Sequence, residues 1–242
     1  APQCLAREYA PFAPFPSSLP WVTPTCLDSS IDSSSIPPEY GVVRLFSPVM
    51  RSRESMSSAP VYGRRGRIGL VVPANNSVIE PEFWFALPPG VAAYSTRVMA
   101  KGDLTPAAVR QMEAAVDDAV AAIAATGVDV IAYCDMVTTF IMEAGWNEHA
   151  IERIHERTGI PAISAWTALR DALAQIGARR IALGTPYPRA IHELSPPFFR
   201  ESGFELSSHA TLDILAMRDV PTIDRMRLET FVRTLDVRAC DA

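Results

Sequence analysis

The spacing of apolar residues changes along this chain, and the change marks where a folded core can begin. Through about residue 60, Pro and Ser crowd together (Pro11, Pro14, Pro16, Ser17, Ser18, Pro20; then Ser29, Ser30, Ser33, Ser34, Ser35, Pro37, Pro38), and no helical or strand period survives. Such a segment buries too little apolar area to offset the entropy of ordering it. We expect residues 1–63 to be disordered or foreign to the fold, with Met56, just before Ser57-Ser58-Ala59-Pro60, as a candidate start. From Arg67 onward, strands and helices alternate. Arg67–Val72 is a short run rich in β-branched residues and reads as a buried strand; Val91–Val98 is a second strand. Thr105 as cap and Pro106 at the first position open a helix. Its Val109, Met112, Val116, Val120 and Ile123 follow at helical spacing until Gly127 stops it. Val128–Cys134 is another buried strand. Asn147 caps a helix running to Gly159, Pro161–Ser164 is a short strand, Thr167–Ile176 is a helix ending at Gly177, and Arg180–Gly184 is the next strand. This alternation predicts a mostly parallel sheet covered on both faces.

The chain also repeats itself. Arg67-Ile68-Gly69-Leu70-Val71-Val72-Pro73 returns as Arg180-Ile181-Ala182-Leu183-Gly184-Thr185-Pro186, matching at Arg, Ile, Leu and Pro, and Glu80 and Glu193 share one offset. A helix follows each motif, then a strand (Val91–Val98; Phe204–Leu212), then a helix opened by Thr105-Pro106 or Pro221-Thr222. The second of those helices is expected to run through Phe231 and Leu235 to Cys240, with the counterpart of the Cys134 strand beyond Ala242. Chance is the competing explanation, because any two βα units share apolar strands.

Composition narrows the function. At 48% hydrophobic and 20% charged residues the chain can build an ordinary core, and a net charge of −5 with scattered Lys and Arg provides no basic stripe for nucleic acid. No apolar run approaches the ~20 residues of a membrane span, and the N-terminus lacks the layout of a signal peptide. Cys4, Cys26, Cys134 and Cys240 have no metal-like spacing and fit a reduced, cytoplasmic setting. His149, His155, His192 and His209 form no ligand pattern, so no metal is expected. No GxGxxG, GxxxxGK[ST] or GxSxG motif is present, which argues against nucleotide binding and serine hydrolysis.

Ligands of open α/β sheets bind beyond the carboxyl ends of the strands. Three tips lie there: Pro73-Ala74-Asn75-Asn76-Ser77, Cys134-Asp135-Met136-Val137-Thr138-Thr139, and Thr185-Pro186-Tyr187. Each joins a strand to a helix, so its backbone N–H groups can hold a carboxylate. Cys134 is the candidate nucleophile or proton-transfer group, its thiolate helped by the strand-end position; otherwise it is a small core thiol. Asn76 offers an amide to a carboxylate or caps the next helix. Tyr187 offers a hydroxyl or packs over the sheet. Thr138 and Thr139 could donate to an oxyanion or cap a helix. Asp135 would raise the thiol pKa unless it points away.

These tips resemble the aspartate/glutamate racemase superfamily, and within it the maleate cis-trans isomerase and arylmalonate decarboxylase branch. The residues that carry the resemblance are Ile68 to Glu80, Ala132-Tyr133-Cys134 and Ala182-Leu183-Gly184-Thr185-Pro186-Tyr187, within a stretch from about Arg64 to Ala242. It implies an α/β fold of two pseudo-symmetric Rossmann-like half-domains with mostly parallel sheets, the second half truncated. The domain would span 64–242, its first half about 64–175 and its incomplete second half about 176–242. It also implies a cofactor-independent enzyme, a small-molecule carboxylate substrate, a homo-oligomer, and an active site between the halves with one cysteine from each. Cys134 matches the first cysteine within one residue, since isomerases commonly read Tyr-Ala-Cys where this chain reads Tyr-Cys-Asp. Asn76 and Tyr187 match carboxylate-holding positions, and Pro73, Asn75 and Thr138 complete the expected substrate site.

Three departures bear on substrate and activity. Met217 or Arg218 stands where isomerases carry a second-half asparagine. Asp135 and Met136 replace a hydroxyl-bearing pair of the decarboxylases. The second cysteine is expected beyond Ala242, so little activity is expected of this chain by itself. The leading expectation is an isomerase of a small dicarboxylic acid using Cys134. The alternatives are an arylmalonate decarboxylase or an amino-acid or hydantoin-type racemase, a non-catalytic carboxylate-binding α/β module, and an inactive fragment.

Overall fold

The computed structural model describes residues 62–242 apart from 143 and 239, all within the second of the chain's two units, Gly41–Ala242. The expectation of disorder over 1–63 lies outside the described residues but for its last two positions, and so do Met56, Cys4 and Cys26.

The apolar run after Arg67 forms β1 (Gly66–Pro73), the strand around which the first half is built. It sits inside an all-parallel sheet with β2 (Val91–Val98), β3 (Val130–Tyr133) and β4 (Ala162–Ser164), in the order β2-β1-β3-β4. Its two faces are both covered, which explains why the run is continuous rather than alternating. Val71 packs with Ile131 and Tyr133 beneath α3 (Val116–Ala124) and α5 (Trp146–Thr158). Leu70 and Val72 face the other way, toward Ile79 and Phe83 of α1 (Ile79–Ala86). Leu70, Val71 and Val72 are wholly buried, and each such side chain contributes about 1.5–3 kcal/mol. Gly69 permits this layering: a Cβ there would lie 2.7 Å from Ile123 Cγ1 and 2.9 Å from Val128 Cγ2.

The helices follow the expected starts with three corrections. Thr105 caps α2 (Pro106–Glu113), its Oγ1 accepting the Ala108 N–H at 3.2 Å. The single helix expected to run on to Ile123 is instead two: the Ala115 N–H closes a tighter i→i−3 bond to the Met112 carbonyl, and α3 restarts at Val116. Met112, Val116, Val120 and Ile123 still share one core. Asn147 does not cap α5. It lies buried in the first turn, where its Oδ1 accepts from the hydroxyls of Thr139 and Ser164. α6 (Ala165–Gln175) starts two residues ahead of the expected Thr167, because Ser164 caps it through a reciprocal capping box with Thr167.

The second sheet pairs β5 (Arg180–Thr185) with β6 (Glu205–Thr211), also parallel, through α7 (Arg189–His192) and α8 (Ser195–Glu201). On the other edge of β5 the last two residues begin to pair: the Asp241 N–H donates to the Arg180 carbonyl at 2.6 Å and the Ala182 N–H to the Ala242 carbonyl at 2.9 Å. Asp241 also accepts the Arg180 N–H at 2.8 Å. The first half makes the same reciprocal pair. Asp129 donates its N–H to the Arg67 carbonyl at 2.8 Å and accepts the Arg67 N–H at 2.8 Å. The sequence repeat is therefore a structural one, with residues 241–242 beside β5 where β3 stands beside β1.

The helix predicted to run from Pro221-Thr222 to Cys240 is corrected. Those two residues close a 3-10 turn (Met217–Thr222), with the Thr222 hydroxyl spent on the Asp219 carbonyl at 2.6 Å. Asp224 caps α9 (Arg225–Val232) in its place, and Cys240 lies well past that helix. Between the sheets runs α4 (Val137–Ile141), buried along its whole length. Its Phe140 packs with Trp166 and Phe199, and its Val137 and Ile141 pack with Leu104, Val109 and Ile191.

Substituting Gly69→Ala forces α3 away from β1. We expect a loss of about 1–3 kcal/mol, read as a lower urea midpoint with an unchanged denaturant slope.

Candidate active site

The thiol reaches the rim of the sheet through one backbone bond. The Cys134 N–H donates to the Val71 carbonyl at 2.9 Å, one rung past the last residue of β3. That rung sets Cys134 beside the turn that ends β1, where Pro73 stops the strand and the Asn76 N–H closes back on the Pro73 carbonyl at 2.9 Å. Cys134, Pro73, Asn75, Asn76 and Tyr187 all line one cavity of about 380 Å³. Its remaining wall is largely apolar, with Ile79, Phe83, Leu104, Val109 and Met112. Thr138 is the exception among the expected site residues. It is completely buried behind the cavity, and its hydroxyl donates to Asp135 Oδ2 at 2.6 Å. Thr139 is buried as well and bonded to Asn147.

Asn76 takes up the helix-facing one of its two expected roles. Its Oδ1 accepts the N–H groups of Val78 and Ile79 at 2.9 and 3.1 Å, capping the opening turn of α1. The oxygen is thereby fixed and the amide NH2 remains as donor. Tyr187 is held by its own backbone: its carbonyl accepts from the Thr211 hydroxyl, and the Arg189 N–H two residues on donates to Asp213 Oδ1 at 2.7 Å. Asp213 adopts φ 54°, a left-handed conformation that Asp tolerates better than most residues. Burial, and then the charge of Asp135, raise the Tyr187 hydroxyl above the ordinary tyrosine range, so it stays a neutral donor.

The thiol is not activated in the way expected. Burial first, and Asp135 second, push Cys134 up to about 12. At the turn after Cys134, Asp135 Oδ1 takes the Val137 N–H at 3.0 Å at the start of α4, so that amide serves the carboxylate and not the thiol. Asp135 is itself pushed up to about 6 by burial, with the Thr138 hydroxyl opposing that shift. The Sγ hydrogen bonds to the Ala132 carbonyl at 3.4 Å.

Several residues at or near the site escaped the sequence reading. Lys101, exposed in the loop after β2, lines the cavity, and its charge is the one cationic side chain among the described lining residues. Tyr133 also faces the cavity, but its hydroxyl is committed to Glu113 at 2.8 Å, which Arg153 neutralises at 2.6 Å. Buried Glu113 lies 40 residues from Arg153 in sequence, so spacing gave no sign of the pair. His192 bridges Thr185 and His209, each contact 2.9 Å. No group of three or more His, Cys, Asp or Glu among the described residues could hold a metal ion, and no described helix is long and apolar enough to cross a membrane.

Residues 68–242 match the family profile of arylmalonate decarboxylase. The chain belongs to the arylmalonate decarboxylase family. This is a branch of the aspartate/glutamate racemase superfamily whose members are cofactor-independent enzymes. Within it, the chain is similar to the maleate isomerase of Nocardia farcinica, 30% identical over 185 residues, 73% of each chain. The maleate isomerase of Geobacillus stearothermophilus is 28% identical over 188 residues, 73% of this chain and 75% of the other. Among solved structures, a cysteine-to-serine variant of the Nocardia farcinica maleate cis-trans isomerase with a covalently bound succinylcysteine intermediate superimposes with a TM-score of 0.67 at 27% identity, covering 72% of this chain and 75% of the other. The shared fold is α/β with parallel sheets in two domains.

Asp135→Asn tests the electrostatics of this arylmalonate decarboxylase family site. Asparagine keeps the bond to the Val137 N–H, and the Thr138 hydroxyl can turn to accept from its amide. Removing the negative charge lowers the Cys134 pKa, while burial keeps it above the free thiol value. We expect iodoacetamide labelling of Cys134 near pH 8 to quicken several-fold, with the midpoint of its pH profile moved down. An unmoved midpoint would show that Asp135 does not bear on the thiol.

Proposed function

We propose that this chain is a maleate isomerase-like enzyme that interconverts a small cis and trans dicarboxylic acid through covalent addition of Cys134. The observation that carries the reading is that Cys134, Asn75, Asn76 and Tyr187 line one cavity. A dicarboxylate can place one carboxylate against the Asn75–Asn76 turn and the other toward Tyr187, with Lys101 supplying the opposite charge at the mouth. The alkene carbons between them then face Cys134, and positioning of this kind lowers the barrier without any further group.

The sulfur adds to one alkene carbon, and the thiol hydrogen goes to the neighbouring carbon, giving a saturated succinyl thioether. Asp135, held near pH 6 by burial, is the acceptor we assign for relaying that proton. The former double bond is now single and rotates. Reversal of the addition, with the proton returned to sulfur, releases the trans acid and restores Cys134. The succinylcysteine seen in the Nocardia farcinica relative supports this course.

A second reading has its own support. The cavity, about 380 Å³ and mostly apolar, has room for an acid with a bulky apolar substituent, as arylmalonate decarboxylation would require. Offering maleate and phenylmalonate to the purified chain separates the two: fumarate, followed by proton NMR, supports isomerisation, and carbon dioxide supports decarboxylation. Neither product, together with no succinyl adduct on Cys134 by mass spectrometry, would sink both.

Cys134→Ala is expected to abolish fumarate formation while leaving the circular dichroism spectrum and melting temperature near those of the parent. Lys101→Met is expected to raise KM for a dicarboxylate about fivefold, as suits one solvent-exposed charge contact, with kcat little changed. Initial-rate kinetics on both variants check the two expectations.

A further inference from the structure

A loop that binds a carboxylate through amides must turn its carbonyl oxygens away from the ligand. In the turn that ends β1 one side chain reaches three of these oxygens, one of which, that of Pro73, also accepts the Asn76 N–H. Arg97, near the end of β2, sends Nη1 to the carbonyls of Pro73 at 3.5 Å, Ala74 at 3.2 Å and Asn76 at 2.6 Å. Its Nη2 donates to the carboxylate of Glu80 in the first turn of α1. Arg97 is not part of the cavity wall, whereas Asn75 and Asn76 are. Glu80 is one of the two residues marked by the repeat, and this contact gives it a role.

We infer that Arg97 is a positioning residue that sets the carboxylate-binding turn. The guanidinium gathers three carbonyls behind the turn and so fixes Asn75 and Asn76 toward the cavity. Glu80 neutralises the guanidinium and ties the turn to the helix that Asn76 caps. The side chain of Arg97 is 39% exposed, so as an ion pair alone it would contribute little to global stability. Its leverage is local, because a carboxylate contact weakens sharply when its donor shifts by a fraction of an ångström. Lysine keeps the charge but lacks the planar fork that reaches several oxygens at once. The kinetic part of this inference rests on the dicarboxylate reading; the structural part does not.

The full chain carrying Arg97→Ala and, separately, Arg97→Lys tests it. We expect KM for maleate to rise about tenfold in the alanine variant and by less in the lysine variant, with kcat within about threefold of the parent. Iodoacetamide labelling of Cys134 should be unchanged. Guanidinium at a sub-denaturing concentration should lower KM of the alanine variant, and sodium at the same ionic strength should not. Without ligand, the amides of Val78 and Ile79 should exchange hydrogen about tenfold faster in Arg97→Ala. Unchanged exchange in Arg97→Ala overturns the inference whatever the substrate. A uniform fall in kcat and kcat/KM without guanidinium rescue also overturns it. A parent protein inert toward maleate defeats the proposed function, and the exchange measurement then decides this inference alone.

Discussion

The hydrogen bond from the Cys134 N–H to the Val71 carbonyl is the constraint on which the site depends. It is the last rung between β1 and β3, and it exists because Leu70, Val71 and Val72 are buried on both faces and cannot slip in register. A shift of one residue would turn the apolar set of β1 onto the wrong faces. Held in register, the sheet delivers the thiol and the Pro73–Asn76 turn to the same rim. The same burial sets the chemistry. A thiol at about 12 and a carboxylate at about 6 are what desolvation does to two adjacent acids, and the addition we propose needs the proton to be moved rather than simply absent.

Two of the three tips are held from the side by the neighbouring strand. Arg97 of β2 draws in the carbonyls of the first tip. Thr211 at the end of β6, and Asp213 just beyond, hold the carbonyl of Tyr187 and the N–H of Arg189 at the third. The chemistry of the two clamps differs, but their position in the fold is the same. The paired roles of Asp129 with Arg67 and Asp241 with Arg180 show the repeat reaching into the backbone. An aspartate registers the incoming strand in both halves by answering the strand's own N–H.

Most of the first half was legible because its signals are local. The β-branched run of β1, Thr105-Pro106 before α2 and the glycines after α5 and α6 each act over a few residues, and each is where expected within one or two positions. The errors share a cause. Pro221-Thr222 looks like a helix start, but the Thr222 hydroxyl finds Asp219 and the cap passes to Asp224. Asn147 looks like a cap, but tertiary contacts with Thr139 and Ser164 claim its oxygen. Polar side chains with several possible partners are settled by which partner packing brings nearest.

The amino-acid sequence by itself determined the α/β alternation, the internal repeat and the cluster of strand tips bearing Cys134, Asn75, Asn76 and Tyr187, because strand and helix periods, turn residues and motif identity are properties of neighbours along the chain. Tertiary structure alone decided that Thr138 turns its hydroxyl to Asp135 and away from the cavity, that Lys101 reaches the cavity wall, that Arg97 grips the first turn and that Cys134 is a raised thiol. Those outcomes depend on distance through space and on exclusion of water, and neither is encoded in the spacing of residues along a strand.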